Sequence, residues 1–296
     1  MASNTVVTSE TKSTPFSPET LRGLSNILEL LTSTSIFLAL NASIVAAFSS
    51  LLYGLEVKPR ILFIAFLATF SVYNMNRATD RREDSINRPQ AASRSILFFL
   101  VPSLIASALC LLLSASVGAQ ALTVIVASFA ASVLYSFKPS PSIPRLKEIL
   151  GLKSVLVAFS WGFTGALLPA SGQAVDTSKI VLAFTYIFIQ ILVNTILCDV
   201  RDIDGDMASG VNTLPISLGL GATRRLLLTV NTLLFPWLLY CITQGLFQEY
   251  MPALFFGVGY GYLIIWLFSE TGRDRLLVEL AVDGEWMPLV ALMKLL

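Results

Sequence analysis

Residues 179–206 read KIVLAFTYIFIQILVNTILCDVRDIDGD. From Ile180 to Cys198 there is no charge. At about 1.5 Å of rise per residue a helix of that length spans roughly the 30 Å of a bilayer's hydrocarbon core. The run then ends abruptly in Asp199, Asp202, Asp204 and Asp206. Asp199, Asp202 and Asp206 recur at i, i+3 and i+7, so they share one face of a helical end, while Asp204 points elsewhere. An apolar span feeding a phased acidic cluster is the unit from which the rest of the chain is read.

The same unit occurs earlier. The segment 59–76 is apolar and runs into Asn76-Arg-Ala-Thr-Asp80-Arg-Arg-Glu83-Asp84, followed by Asn87-Arg-Pro89. The later cluster is followed by Asn212-Thr-Leu-Pro215. Asn76, Asp80 and Asp84 recur at i, i+4 and i+8, again on one face. Four spans separate the two clusters, which suggests a duplicated four-helix unit, as intramembrane proteins often show. Apolar runs fall near 28–53, 59–76, 95–115, 119–137, 152–171, 179–198, 223–246, 250–269 and 275–295, the last interrupted by Glu279, Asp283 and Glu285. The reading is an all-α integral membrane protein of about nine transmembrane helices, with a polar tail over 1–26 and one polytopic domain over 27–296.

Composition agrees. The 296 residues are 55% hydrophobic and 13% charged, with a mean hydropathy of +0.74. Soluble domains carry about 25% charged residues, so this chain cannot cover a globular surface with polar groups. A net charge of +1 with scattered basic residues excludes a nucleic-acid binder. With no His, every His-based nucleophilic scheme and the commonest metal ligand are gone. Cys110, Cys198 and Cys241 stand alone in apolar runs, too few and too scattered for a disulfide framework or zinc site. The first ~25 residues, Ser/Thr-rich and without an apolar core, read as a disordered tail and not a signal peptide. With the N-terminus inside, 16 of the 20 Lys and Arg residues fall on the inner side, which puts both acidic clusters on the cytoplasmic face.

Seven of the 19 acidic residues lie in the two windows 80–84 and 199–206. Carboxylates on one helical face repel each other unless cations sit between them. Oxygen donors without His or Cys select a hard cation, Mg²⁺ first and Mn²⁺ second. Mg²⁺ takes one or two carboxylates and completes its shell with water and phosphate oxygens. Two such clusters facing each other would hold two or more Mg²⁺ around a diphosphate. The competing reading, solvated loop charges, accounts poorly for two phased triads on one membrane face.

Both clusters resemble motifs of the UbiA superfamily of intramembrane prenyltransferases, N-x-x-x-D-x-x-x-D at Asn76/Asp80/Asp84 and D-x-x-D-x-x-x-D at Asp199/Asp202/Asp206. Tyr135-Ser-Phe-Lys138 is similar to the family's Y-x-x-K, and Asp204-Gly-Asp206 with Asn212-Thr-Leu-Pro215 to its G-D…K-T-L-P. Lys147 and Lys153-Ser ahead of Trp161-Gly162 are in keeping with it. The resemblance implies nine helices around a central cavity with the Asp motifs at its mouth. It further implies an isoprenoid diphosphate donor held through Mg²⁺, with the prenyl tail in an apolar tunnel open to membrane lipid. Metal-bound diphosphate is a good leaving group, and the allylic cation it leaves needs a dry, aromatic-lined pocket. Lys138 is then the first choice to touch the diphosphate as a point charge, with Tyr135 one turn away to orient it. Lys147, Lys153 and Arg201 are second choices. Asn194, a polar residue inside a span just ahead of the second motif, is a candidate for the metal or acceptor site.

The sequence also departs from the family pattern. Arg77 stands where many members carry a second acidic residue, with Glu83 available to compensate, and Asn212 replaces the basic residue of K-T-L-P. The first span lacks the Arg that members using carboxylated aromatic acceptors carry near its inner end; here that stretch reads Asn26-Ile-Leu-Glu29-Leu-Leu. The leading expectation is a Mg²⁺-dependent transferase moving a prenyl chain to an aromatic or other lipophilic acceptor. A terpene cyclase on the same fold is the alternative. A transporter or channel would place its charges near the bilayer midplane, not at helix ends. The D-G-x-x-A-R signature of CDP-alcohol phosphotransferases is absent. Asp80→Ala and Asp202→Ala are each expected to abolish turnover and leave membrane insertion unchanged.

Overall fold

A computed structural model describes residues 18–136, 146 and 149–296, excluding the side chains of residues 18–22, 24–26, 82, 83, 90 and 136. The described residues are helical, without strands. In chain order the helices are α1 (Pro18–Ser33), α2 (Ile36–Leu52), α3 (Pro59–Thr79), α4 (Arg81–Asn87), α5 (Pro89–Ala92), α6 (Ile96–Val117), α7 (Ala119–Ser136) and α8 (Leu152–Ala170). There follow α9 (Thr177–Arg201), α10 (Ile203–Ser209), α11 (Leu214–Leu218), α12 (Leu220–Thr232), α13 (Leu234–Thr243), α14 (Met251–Phe268), α15 (Arg275–Val282) and α16 (Trp286–Leu295).

Among the described residues six helical segments are long and apolar enough to cross a membrane: α3, α6, α8, α9, α12 with α13, and 248–268. The other three expected spans take different forms. The first is broken between α1 and α2, whose axes differ by 75°. α7 has a shorter apolar stretch, Ala119–Tyr135. The last is cut into α15 and α16 by a 3-10 turn at Asp283–Glu285. α1 also begins inside the stretch read as a tail, because Leu21, Leu24, Leu28 and Leu31 recur at helical spacing there; residues 1–17 of that tail lie outside the described residues.

The break between α1 and α2 has identifiable causes. Ser35 sits at φ 60°, a conformation that L-residues adopt only when their surroundings hold them. Arg77 of α3 donates to Ser35 Oγ at 2.9 Å and to Thr32 O at 3.0 Å, and Asn74 donates to Thr34 O at 3.2 Å. The Arg that replaces an acidic residue in the first motif thus pins the bend.

Buried side chains form three clusters. One joins α2, α8, α9, α13, α14 and α16 around Phe48, Tyr186 and Trp286. A second joins α2, α3, α6 and α7 around Ile64, Cys110 and Ile125, and a third joins α9, α12, α14 and α15 around Leu197, Leu227 and Ile265. Outward-facing Leu97, Ile105 and Leu112 of α6 are exposed apolar residues, as a lipid-facing surface requires.

Where α9 meets α14 the chains approach closely. Tyr186 Oη donates to Leu254 O at 3.1 Å and Gln190 Nε2 to Gly257 O at 3.1 Å. A Cβ on Gly257 would run into Tyr186 Oη and Leu289. Gly257→Ala is therefore expected to cost about 1–3 kcal/mol through overpacking. A lowered melting temperature in detergent would register it, and an unchanged one would show that α14 can shift.

Candidate active site

The helices leave a cavity of about 440 Å³, bounded by α2, α3, α7, α8, α9 and the turn after α15. Its apolar part is lined by residues such as Ala42, Val45, Ala65, Phe129 and Phe159. Tyr73 and Trp161 also face it, joined by a hydrogen bond from Trp161 Nε1 to Tyr73 Oη at 3.1 Å. The opposite end is lined by Asn76, Asp80, Asp84, Asp199, Asp202 and Asp206. Two residues 126 positions apart in the chain, Asp80 and Asp206, thus share one chamber.

The geometry follows from how the spans end. α3 stops at Thr79 and restarts as α4, so Asp80 sits at a joint and Asp84 one turn on. α9 stops at Arg201 and restarts as α10, which puts Asp202 at the matching joint and Asp206 one turn beyond. α10 packs on α4, and a Cβ on Gly205 would overlap the Asn87 side chain. Asp204 is exposed.

Cations already reach most of these carboxylates. Lys153 Nζ lies 2.9 Å from Asp199 Oδ1 and 3.1 Å from Asp206 Oδ2, and Ser154 Oγ donates to Asp199 Oδ2 at 2.8 Å. Arg201 grips Asp202 through two bonds of 2.9 and 2.7 Å, and Arg275 adds a third at 2.8 Å. Arg77 Nη1 stands 3.9 Å from Asp84. Glu279 gathers Arg88 at 2.6 Å and Arg201 and Arg275 at 3.4 Å each. Burial raises the Asp84 carboxyl above its ordinary value, with Arg77 and Arg88 opposing the shift. Burial also pushes Asp206 up; Lys153 counters it and Asp199 reinforces it, leaving the group at about 6. Asp202 goes the other way: burial opposes its charge, but Arg201, Arg88 and Arg275 hold it well below the usual carboxylate range.

The other sequence candidates are distributed as follows. Tyr135, Lys153, Asn194 and Arg201 line the cavity. Lys138 and Lys147 lie outside the described residues, as does the side chain of Glu83. Arg77 and Arg88 face the cavity without having been singled out as site residues from the sequence, and Asp283 and the Tyr73–Trp161 pair, interruptions and aromatics of apolar spans in the sequence, face it too. Arg88 and Glu279 are 191 positions apart, a pairing no local pattern announces.

The donor set fits Mg²⁺. Five carboxylates and Asn76 offer oxygen only. Among the described residues no group of three or more acidic, Cys or His side chains is close enough together to hold a metal ion by itself. Such a site needs substrate oxygens and water to complete a shell, which is how Mg²⁺ is bound with phosphates.

A model of the UbiA prenyltransferase family matches residues 31–277. The chain belongs to that family. Digeranylgeranylglyceryl phosphate synthase from Methanothermobacter thermautotrophicus is 28% identical over 225 residues, 72% of this chain and 74% of that protein. The enzyme of the same name from Thermococcus kodakarensis is 30% identical over 175 residues, 55% of this chain and 58% of that protein. In structure the chain resembles a UbiA homolog from Archaeoglobus fulgidus bound to GPP and Mg²⁺, with a TM-score of 0.67 at 15% identity. That match covers 90% of this chain and 98% of the homolog. This UbiA-family protein is an integral membrane enzyme of the prenyltransferase class, and it shares the fold of that homolog.

Proposed function

We propose that the protein transfers a prenyl chain from an isoprenoid diphosphate to a lipophilic acceptor, with Mg²⁺ required. The observation that carries this reading is the cavity itself, with two phased carboxylate clusters at one end and an apolar, aromatic chamber at the other. Asn76, Asp80, Asp84, Asp199, Asp202 and Asp206 would hold Mg²⁺. When bound, the metal neutralises the charge that develops on the departing diphosphate. The remaining work belongs to side chains. Lys153 and Arg201 contribute positive charge beside the diphosphate, as Lys138 and Lys147 do in the sequence reading, and Tyr135 orients it. Tyr73 and Trp161 present π faces to the allylic cation, and the apolar walls exclude water. The arrangement consists of nine crossings, with the first bent and the last broken. It derives from a four-helix duplication and opens its Asp clusters to the cytoplasm, in line with the basic-residue count.

The relatives are named for making digeranylgeranylglyceryl phosphate, which favours a glyceryl phosphate lipid as acceptor over a quinol. The Arg88, Arg201 and Arg275 cluster, three cations against Glu279 and Asp202, offers a place for such a phosphate. The test is purified protein in detergent with Mg²⁺, geranylgeranyl diphosphate and an O-alkylglycerol phosphate, products read by mass spectrometry. Acceptor-dependent ether formation is expected. Cyclic hydrocarbons formed without an acceptor would replace this reading with the cyclase. Trp161→Ala, which deepens the chamber, is expected to shift donor preference toward longer chains. An unchanged preference across geranyl, farnesyl and geranylgeranyl diphosphates would mean that Trp161 does not limit the space for the prenyl chain.

A further inference from the structure

The turn that breaks the last span brings one more carboxylate into the cavity. Asp283 lines it from outside the two aspartate clusters. Lys or Arg side chains pair with Asp84, Asp199, Asp202 and Asp206, but among the described residues none forms an ion pair with Asp283. Its contact is Cys198 Sγ at 4.0 Å. The turn is held from α9: Asn194 Nδ2 donates to Val282 O at 3.0 Å and to Glu285 Oε1 at 2.9 Å. Asn194, 3% exposed, also lines the cavity, and its Oδ1 has no hydrogen-bond partner. Glu285 Oε2 is likewise buried and unpartnered, but Glu285 does not line the cavity and serves here as a support for the turn.

The two of these groups that line the cavity, the Asp283 carboxylate and Asn194 Oδ1, accept hydrogen bonds. Buried acceptors left unmade are costly, and a ligand that donates would satisfy them. Diphosphate has no proton to offer at this end and is repelled by carboxylate. A hydroxyl is neutral and donates. We infer that Asp283, positioned by the Asn194–Glu285 turn, is the subsite for the acceptor's hydroxyl and takes its proton during transfer. This rests on the transferase reading and narrows it to alcohol or phenol acceptors that are uncharged at the reacting end. In the step, the bond between prenyl C1 and the diphosphate oxygen breaks and its electron pair leaves with diphosphate. A lone pair of the acceptor oxygen forms the new C–O bond to C1, and the hydroxyl proton passes to the Asp283 carboxylate. The product is an ether, and Asp283 then returns the proton to water.

The experiment uses the full chain in detergent with Mg²⁺ and geranylgeranyl diphosphate. The acceptor probes are an O-alkylglycerol phosphate and a quinol, each also supplied as its methyl ether. Asp283→Asn keeps the shape and loses the base. Its kcat for transfer is expected to fall by about 10²-fold or more, while donor Kd stays within about twofold. Prenyl alcohol from water capture should continue, and Asp283→Glu should recover part of the transfer. Transfer by Asp283→Asn at the wild-type rate overturns the inference, as does a parallel loss of donor binding, which would make Asp283 a donor or folding residue. Prenylation of the quinol methyl ether at carbon overturns it too. Wild-type protein that transfers to neither probe and cyclises its donor overturns the transferase reading with it, which separates the two failures.

Discussion

Asp80→Ala is expected to reduce Mg²⁺-dependent diphosphate release by about 10²–10³-fold, the range seen when one electrostatic contact to a reacting group is removed. Asp80 stands at the joint between α3 and α4, facing the cavity, and accepts a bond from Thr79 Oγ1 at 3.3 Å. The protein should elute from size exclusion as the wild type does. Wild-type turnover would remove the first cluster from the active site. Asp202→Ala is the less clean experiment. Its carboxylate takes three bonds from Arg201 and Arg275, so its removal leaves both guanidinium groups with Glu279 as their remaining ion-pair partner. Breaking one partner of a fully buried pair typically costs about 3–5 kcal/mol, and the Glu279 contacts and the 30% exposure of Arg275 set this loss below that range. The sequence alone gives both substitutions the same consequence; the structure adds a loss of stability to the second.

The other large effect concerns Lys153. Lys153→Met leaves Asp199 and Asp206, both nearly fully buried, facing one another without the ammonium that bridges them. Lys153 is itself 23% exposed, so the loss is set below the full buried-pair figure, at about 2–4 kcal/mol. A melt in metal-free buffer should show it. Mg²⁺ with geranylgeranyl diphosphate should restore more stability to the variant than it adds to the wild type, because Asp199 and Asp206 would help hold the cation and its charge would offset theirs. Equal melting temperatures without metal would mean that the two carboxylates tolerate each other unaided. Equal gains from metal would mean that Mg²⁺ does not visit them.

What the sequence could convey was whatever depends on nearest neighbours along a helix. The period-3.6 spacing of Asp199, Asp202 and Asp206 is local, and so is the length of the apolar run before it. The bend at Ser35 is different: it depends on Arg77 and Asn74 reaching across from α3, and nothing near residue 35 says so. The same holds for two of the arginines around Glu279: Arg88 and Arg201 come from distant stretches of chain, whereas Arg275 is its i−4 neighbour on α15. The interruption of the last span was visible as Glu279, Asp283 and Glu285 among apolar neighbours, and the chain turns at Asp283–Glu285. Lys153 ranked behind Lys138 because motif matching favours the residue within the motif. Its placement between two aspartates needed the packing of α8 against α9.

The fit between Gly205 and Asn87 has a consequence for how this protein can change over evolutionary time. A methyl group at 205 on α10 collides with the Asn87 side chain at the end of α4. A larger residue at 205 requires the side chain at 87 to move aside or to shrink. The two halves of the chain, whatever their ancestry, cannot now drift independently at this seam. Their mutational histories are tied to each other through this one contact between α4 and α10.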